Sequence, residues 1–231
     1  MTILTTGVPS VDRILGGGIR TGLITTLLSE SREARSSLCY SICVNTARMC
    51  KNSAVIFGDT QGYFRPEKIL SYIVNDQDPD SILRQIRRLR IMSTNVQMVL
   101  VDYALHLHPI LIIIDNLSYL FLNEKKKQIS MQIRLRKHLH DLAISAIDND
   151  IAIVVTNTPS KRLNKEIDDE FKSKVFSTSE DVNKTITDLT HVILELKGVK
   201  VNESKFSARL LKPLSQLESH FIVKPDGLYD S

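Results

Sequence analysis

An α/β fold with a mostly parallel central sheet is what this 231-residue sequence predicts, on three observations. Two apolar runs, Leu111–Ile114 and Ile151–Val155, are continuous rather than alternating, as in strands covered on both faces. Segments of helical length and periodicity separate such runs, and strand–helix–strand order is the pattern of parallel pairing. Finally, 42% hydrophobic and 24% charged residues at this length suffice for one well-filled core and exclude a disordered chain.

The elements follow in order. Leu23–Leu28 reads as a strand and Arg35–Cys50 as the helix after it. Cys39 and Cys43, four apart, fall on the apolar face of that helix. With Cys50 they make three cysteines and no ligands nearby, so buried free thiols in a reducing compartment are expected. Ser53–Phe57 is the next strand, and Pro66–Asn75 a helix opened by its proline. Asn95–His108 has helical character, Ile110–Ile114 is a strand, Gln128–Asn149 a long helix and Ile151–Val155 a strand. Ser160–Lys184 breaks the pattern: polar and charged, it reads as a mobile or partly helical surface loop. His191–Leu196 is the last of the parallel set. Gly198–Lys205 reads as a long hairpin tip, and Ser207–Leu211 with His220–Val223 as a closing antiparallel hairpin. One domain over residues 1–231 is expected. The N-terminus lacks a secretion signal and the apolar run at Ile110–Ile114 is too short to cross a bilayer, which predicts a soluble, cytoplasmic protein with no membrane role.

The segment after the first strand is the most informative. A phosphate-binding loop has the form G-x-x-x-x-G-K-[ST] between strand and helix. Its glycines bare the backbone N–H groups to phosphate, its Lys reaches the β/γ-phosphates and its hydroxyl ligates Mg²⁺. Here that position reads Ser29-Glu30-Ser31-Arg32-Glu33-Ala34-Arg35-Ser36. Both glycines are replaced, the Lys position holds Arg35, and only Ser36 matches. Alone, the string would not mark a nucleotide site.

Its surroundings change its meaning. Thr5–Ile19 with its Gly16-Gly17-Gly18, Leu38–Val44, Asp59-Thr60-Gln61-Gly62-Tyr63-Phe64-Arg65-Pro66-Glu67-Lys68-Ile69, Leu111–Asn116, His138–Leu142, Val154–Thr158 and Ala208–Lys212 with Phe221–Asp230 succeed one another in a specific order. This succession resembles the RadA/Rad51/RecA recombinase family, more closely its archaeal and eukaryotic branch, over nearly the whole chain. The resemblance implies a RecA-like P-loop NTPase core, with Asp115 at the exit of the Walker B strand.

Several departures from the family pattern accompany it. The family's water-activating glutamate lies between the counterparts of Thr60 and Gly62, where this chain has Gln61, which can hold a water but cannot take its proton as a carboxylate does. The family's γ-phosphate-sensing glutamine is replaced by Thr158, and Arg35 offers a planar fork in place of an ammonium point charge. Arg35, Ser36, Gln61 and Asp115 are therefore expected to outline a vestigial nucleotide and magnesium site, with no catalytic residue and no dedicated cofactor; weak binding of ATP and Mg is the alternative. Structural roles are open for the survivors too. Asp115 can cap a helix, Asp59 can hold a loop, Gly16–Gly18 can turn the chain before a strand, and Arg65 and Pro66 can fix a helix start.

The formal charge is +4, from 30 Lys+Arg against 26 Asp+Glu, so placement matters more than the sum. Arg84, Arg87, Arg88 and Arg90 lie within seven positions, the first three sharing one face if helical. Lys125–Lys127 leads into a helix with Arg134, Arg136 and Lys137, and Lys197, Lys200 and Lys205 lie about the hairpin tip. Each group can contact phosphate backbone or simply face solvent or protein. The resemblance adds Lys161 and Arg162, which follow the family's DNA-loop position. It implies a core-only archaeal-type RadA paralog, without the N-terminal DNA-binding domain, that serves recombination and repair through contacts with a recombinase or other repair proteins and with single-stranded DNA, as a homo-oligomer or heteromer. A slow, atypical DNA-dependent ATPase and a regulatory scaffold without DNA binding are the rival readings.

Overall fold

The computed structural model describes residues 1–124, 128–159, 180–199 and 202–231. A nine-stranded sheet runs in the order β11-β10-β9-β8-β3-β7-β6-β4-β5. Its parallel strands are β3 (Ile24–Leu28), β4 (Ala54–Asp59), β5 (Ile86–Arg90), β6 (Pro109–Asp115), β7 (Ala152–Asn157) and β8 (Val192–Val199). Antiparallel β9 (Asn202–Lys212), β10 (Glu218–Lys224) and β11 (Gly227–Asp230) extend one edge. β7 is buried at every position and β6 at nearly every one, so their unbroken apolar runs have the cause expected of them: cover on both faces.

On one face lie α2 (Arg32–Met49) and α3 (Pro66–Ile73), closing a core with Leu38, Ile42, Phe57, Ile113 and Phe221. Cys39 and Cys43 are buried there as thiols and Cys50 is half-buried. On the other face lie α6 (Leu100–Leu105), α8 (Gln128–Asp148) and α9 (180–189), packing Leu135, Leu139, Val182 and Ile186 on Ile112, Ile114 and Val155. The helix after β3 and the helix before β8 thus cover opposite faces. That makes the carboxyl end of β3 the switch point of the sheet, where open α/β folds place their ligands. The paired ends Leu28–Asn157 and Asp59–Asp115 line this edge.

α2 begins at Ser31, whose Oγ accepts a hydrogen bond from the N–H of Ala34 at 3.2 Å. Ser31→Ala is expected to cost about 1 kcal/mol, read as a lower midpoint in urea at unchanged slope. Gly16, Gly17 and Gly18 have φ of 72°, 116° and 137° and turn the chain between α1 (Pro9–Ile14) and β2 (Ile19–Arg20). A Cβ on Gly18 would stand 2.3 Å from the Leu4 carbonyl oxygen. These glycines serve the turn, not a phosphate cradle.

Three segments depart from expectation. Arg84, Arg87 and Arg88 do not share a helical face: Arg84 lies in the last turn of α4 (Pro79–Gln85), while Arg87, Arg88 and Arg90 lie on edge strand β5. Ile86 and Leu89 are responsible. Three apart, they would share a face on a helix, but on a strand they reach the two opposite cores, as they do here. The segment expected as one helix over Asn95–His108 is two, α5 (Thr94–Met98) and α6, hinged at Val99 so that buried Gln97 donates to the Leu117 carbonyl at 2.9 Å. The polar stretch expected as a loop ends in α9, and its residues 160–179 lie outside the described residues, with Lys161 and Arg162 among them. So do Lys125–Lys127 and Lys200.

Candidate functional site at the carboxyl edge of the sheet

Between β3 and α2 only Ser29, Glu30 and Ser31 remain outside regular structure; five of the eight residues at the phosphate-loop position, Arg32–Ser36, are already helix. The short loop is bonded to itself and to its neighbours. The Ser29 N–H donates to the Asn157 carbonyl at 3.2 Å, the Ser31 N–H to Ser29 Oγ at 3.1 Å, and the Arg35 N–H to the Ser31 carbonyl at 3.3 Å. Together with the Ala34 amide on Ser31 Oγ, four backbone donors are committed internally. Ser29 Oγ in turn donates to the Leu196 carbonyl at 2.6 Å, pinning the loop to β8.

Arg35 is 3% exposed, and its Nη1 donates to the Ser29 carbonyl. Its guanidinium also acts on Asp115, a carboxyl that burial holds above the usual carboxylate range while the Thr156 hydroxyl and then Arg35 pull it back down. Thr156 Oγ1 donates to Asp115 Oδ1 at 2.5 Å. A buried cation therefore acts on the buried carboxyl at the end of β6. Ser36 is in the second turn of α2 and half-buried. Exposed Arg32 reaches across the mouth of the site, its guanidinium 4.2 Å from the centre of the Tyr63 ring.

The second loop of the edge is organised by Asp59. Its Oδ1 accepts from the amides of Gly62 (2.6 Å) and Tyr63 (3.2 Å), and its Oδ2 from Phe64 (3.4 Å). Arg88 closes on Oδ2 through Nε (3.1 Å) and Nη2 (2.8 Å), and Arg90 Nη1 donates to the Asp59 carbonyl at 2.8 Å. Asp59 thus holds a loop, and Arg88 and Arg90 help it to do so. Thr60 ties this loop to β6: its N–H donates to the Asp115 carbonyl and its Oγ1 accepts from the Asn116 N–H, both at 2.9 Å. Gln61 is half-buried at the next position, and Thr158 Oγ1 accepts from Asn116 Nδ2 at 3.3 Å.

A cavity of about 470 Å³ opens beside the Ser29–Ser31 loop, between Asn157, α9 and the end of β8. Its charged lining residues are Glu30, Glu195 and Lys197, one positive against two negative, and Lys197 is salt-bridged to Glu195 at 2.9 Å. Arg209 bridges the same Glu195 carboxylate at 3.1 Å. Among the described residues, no group of three or more His, Cys, Asp or Glu side chains is placed to hold a metal ion.

The model of the Rad51 family matches residues 1–224. The chain belongs to the Rad51 family. A relative from Ignicoccus hospitalis, "DNA repair and recombination protein RadA", is 30% identical over 171 residues, taking in 67% of this chain and 52% of its own. The Rad51-family chain described here therefore spans about half the length of that relative.

Within this Rad51-family core the structure brings Arg35, Asp115 and the Gln61 loop to one edge and leaves the other expected residues dispersed. Arg84 and Arg87 are exposed beside the β4–β5 edge, while Arg88 and Arg90 have their guanidinium groups turned onto Asp59. Sequence reasoning missed the amide work of Ser29, which stood only as a lost glycine, and of Ser31, which stood as an unassigned loop position. It also missed the Arg88–Asp59 pair, whose partners are 29 positions apart.

Proposed function

We propose that this Rad51-family chain is an accessory protein of homologous recombination and DNA repair, whose nucleotide site has been replaced by internal contacts. The observation that carries this reading is the Ser29–Arg35 segment: four of its amides are bonded within the chain, and Arg35 is turned inward. An incoming triphosphate would have to break those bonds, displace Arg35 from the Ser29 carbonyl and approach past Glu30 and Glu33. In this reading Ser36, Gln61 and Asp115 are retained as structure, and the protein works through contacts with a recombinase or other repair proteins and by binding single-stranded DNA. Exposed Arg84 and Arg87, with Lys161 and Arg162, supply charge for the DNA contact.

Titration calorimetry with ATP and Mg²⁺ is expected to give no binding at millimolar nucleotide. Micromolar, Mg²⁺-dependent binding abolished by Asp115→Ala would overturn the replaced site and return the slow ATPase. For the role itself, the purified chain is expected to change strand exchange by a RadA-type recombinase and to bind single-stranded DNA with a salt-dependent affinity, weakened several-fold by Arg84→Ala with Arg87→Ala. No effect on exchange and no DNA binding at low salt would sink it.

A further inference from the structure

The outer face of α8 carries a feature that the nucleotide-site region does not use. Its inner face, with Met131, Leu135, Leu139, Leu142 and Ala146, is buried in the core. Directly opposite, Ile129, Ile133, Ile144 and Ile147 stand in solvent at 74%, 62%, 45% and 62% exposure. At about 100° per residue these four fall in a wedge of about 60°, along about 27 Å of helix. A solvated helix face is ordinarily filled with Lys, Glu or Gln. Four β-branched apolar side chains there give up helix propensity and leave apolar area wet.

The stripe is self-complementary. Turned end over end about an axis near His138 and Leu139, α8 brings Ile129 opposite Ile147 of a second copy and Ile133 opposite Ile144, on both sides of the axis. The flanking charges obey the same symmetry. Lys137 and Asp141 lie on one flank of the stripe, bonded to each other at 2.6 Å and both largely exposed. An antiparallel neighbour would place each Lys137 opposite the Asp141 of the other copy, closing a ring of four alternating charges. Ser130 falls opposite Asp148 in the same register. Only the centre, with Arg136 and His140, is polar, which splits the apolar contact into two equal clusters.

We propose that α8 is the surface through which two copies of this chain pair, antiparallel and two-fold. One helix on one helix is a small interface, at the low end of specific contacts, so the dimer is weak, with a dissociation constant of about 10–100 µM. This pairing is independent of the nucleotide site and of the repair role.

Sedimentation equilibrium from about 5 to 500 µM tests it. The expected result is a monomer–dimer equilibrium that Ile133→Glu with Ile144→Glu abolishes without loss of helical signal. Lys137→Glu alone is expected to weaken the dimer about tenfold, and Lys137→Glu with Asp141→Lys to restore it. Cysteines placed as Ile133→Cys in one preparation and Ile144→Cys in another are expected to cross-link when mixed, above the background that Cys50 gives in the unchanged chain. A monomer throughout that range overturns the proposal, as does a dimer insensitive to the isoleucines or one in which the charge exchange fails to restore affinity. A stripe that stays monomeric yet is shielded from labelling at Ile144→Cys would be covered by the chain itself or serve a different protein, and that too rejects the pairing.

Discussion

Arg35→Met is expected to destabilise the protein by about 1–3 kcal/mol, although it replaces a charged group in a core with an apolar one of similar length. Arg35 is 3% exposed and Asp115 7%, so removing the guanidinium leaves a buried carboxyl without the cation that most favours its ionised form. Asp115 is already held above the usual range by burial, and losing Arg35 raises it further. A carboxyl whose folded-state pKa lies above its unfolded value binds its proton more tightly when folded, so its contribution to stability falls as pH rises through that range. The variant should accordingly be closest to the natural protein near pH 5 and furthest from it at pH 8. Arg35→Met with Asp115→Asn should recover most of the loss, because the pair is then removed together rather than broken. Urea midpoints of the four proteins at the two pH values give the coupling directly. A loss under 1 kcal/mol that is flat with pH would mean that Arg35 is not the internal counter-charge of Asp115. Arg35→Lys is the informative control: it keeps the charge but not the planar, longer guanidinium whose Nη1 reaches the Ser29 carbonyl, so it should fall between the two and still bind no nucleotide.

The same segment shows how far the sequence could be read. The strands β6 and β7 were legible because cover on both faces leaves an unbroken apolar run, and that run survives any loop chemistry. The eight residues Ser29–Ser36 were legible as a phosphate loop without its glycines, but their shape was not. With no residue there that needs a positive φ, nothing stops the helix from growing backwards to the first competent cap, and Ser31 is that cap. The lost glycines therefore do more than remove bare backbone: they shorten the loop to three residues. Edge strand β5 was illegible for a different reason. Ile86–Arg90 is mostly arginine, and charges on an edge strand blunt it against stray pairing while erasing the apolar alternation by which strands are read. Only the ladder to β4, a tertiary fact, makes Ile86–Arg90 a strand and delivers Arg88 to Asp59.

Acid should loosen the fold through His138, on the inner face of α8. The ring is 1% exposed and tilted against Phe121 at 5.9 Å, and neither ring nitrogen has a hydrogen-bond partner among the described residues. Burial pushes its pKa down to about 4, with Asp141 opposing and Lys137 assisting. The unfolded imidazole takes a proton below about pH 6.5, whereas the folded one refuses it until about pH 4. Stability from this residue is thus complete above pH 6.5, falls as pH drops towards 4 and is level below that. Between pH 7.5 and pH 4.5 the loss is on the order of 2–3 kcal/mol. His138→Leu removes the group that must charge, so its stability should fall less over the same interval by that amount, whatever its absolute level at pH 7.5. Parallel curves for the two proteins would show that His138 finds a proton or a partner inside the fold. The carboxylates that titrate nearby are common to both proteins and cancel in the comparison, which leaves the slope difference to His138 alone. The residue stands on the heptad-like line of Met131, Leu135 and Leu142, where an apolar side chain would pack without this penalty. The protein therefore carries in its core a group that is silent at neutral pH and costly in acid.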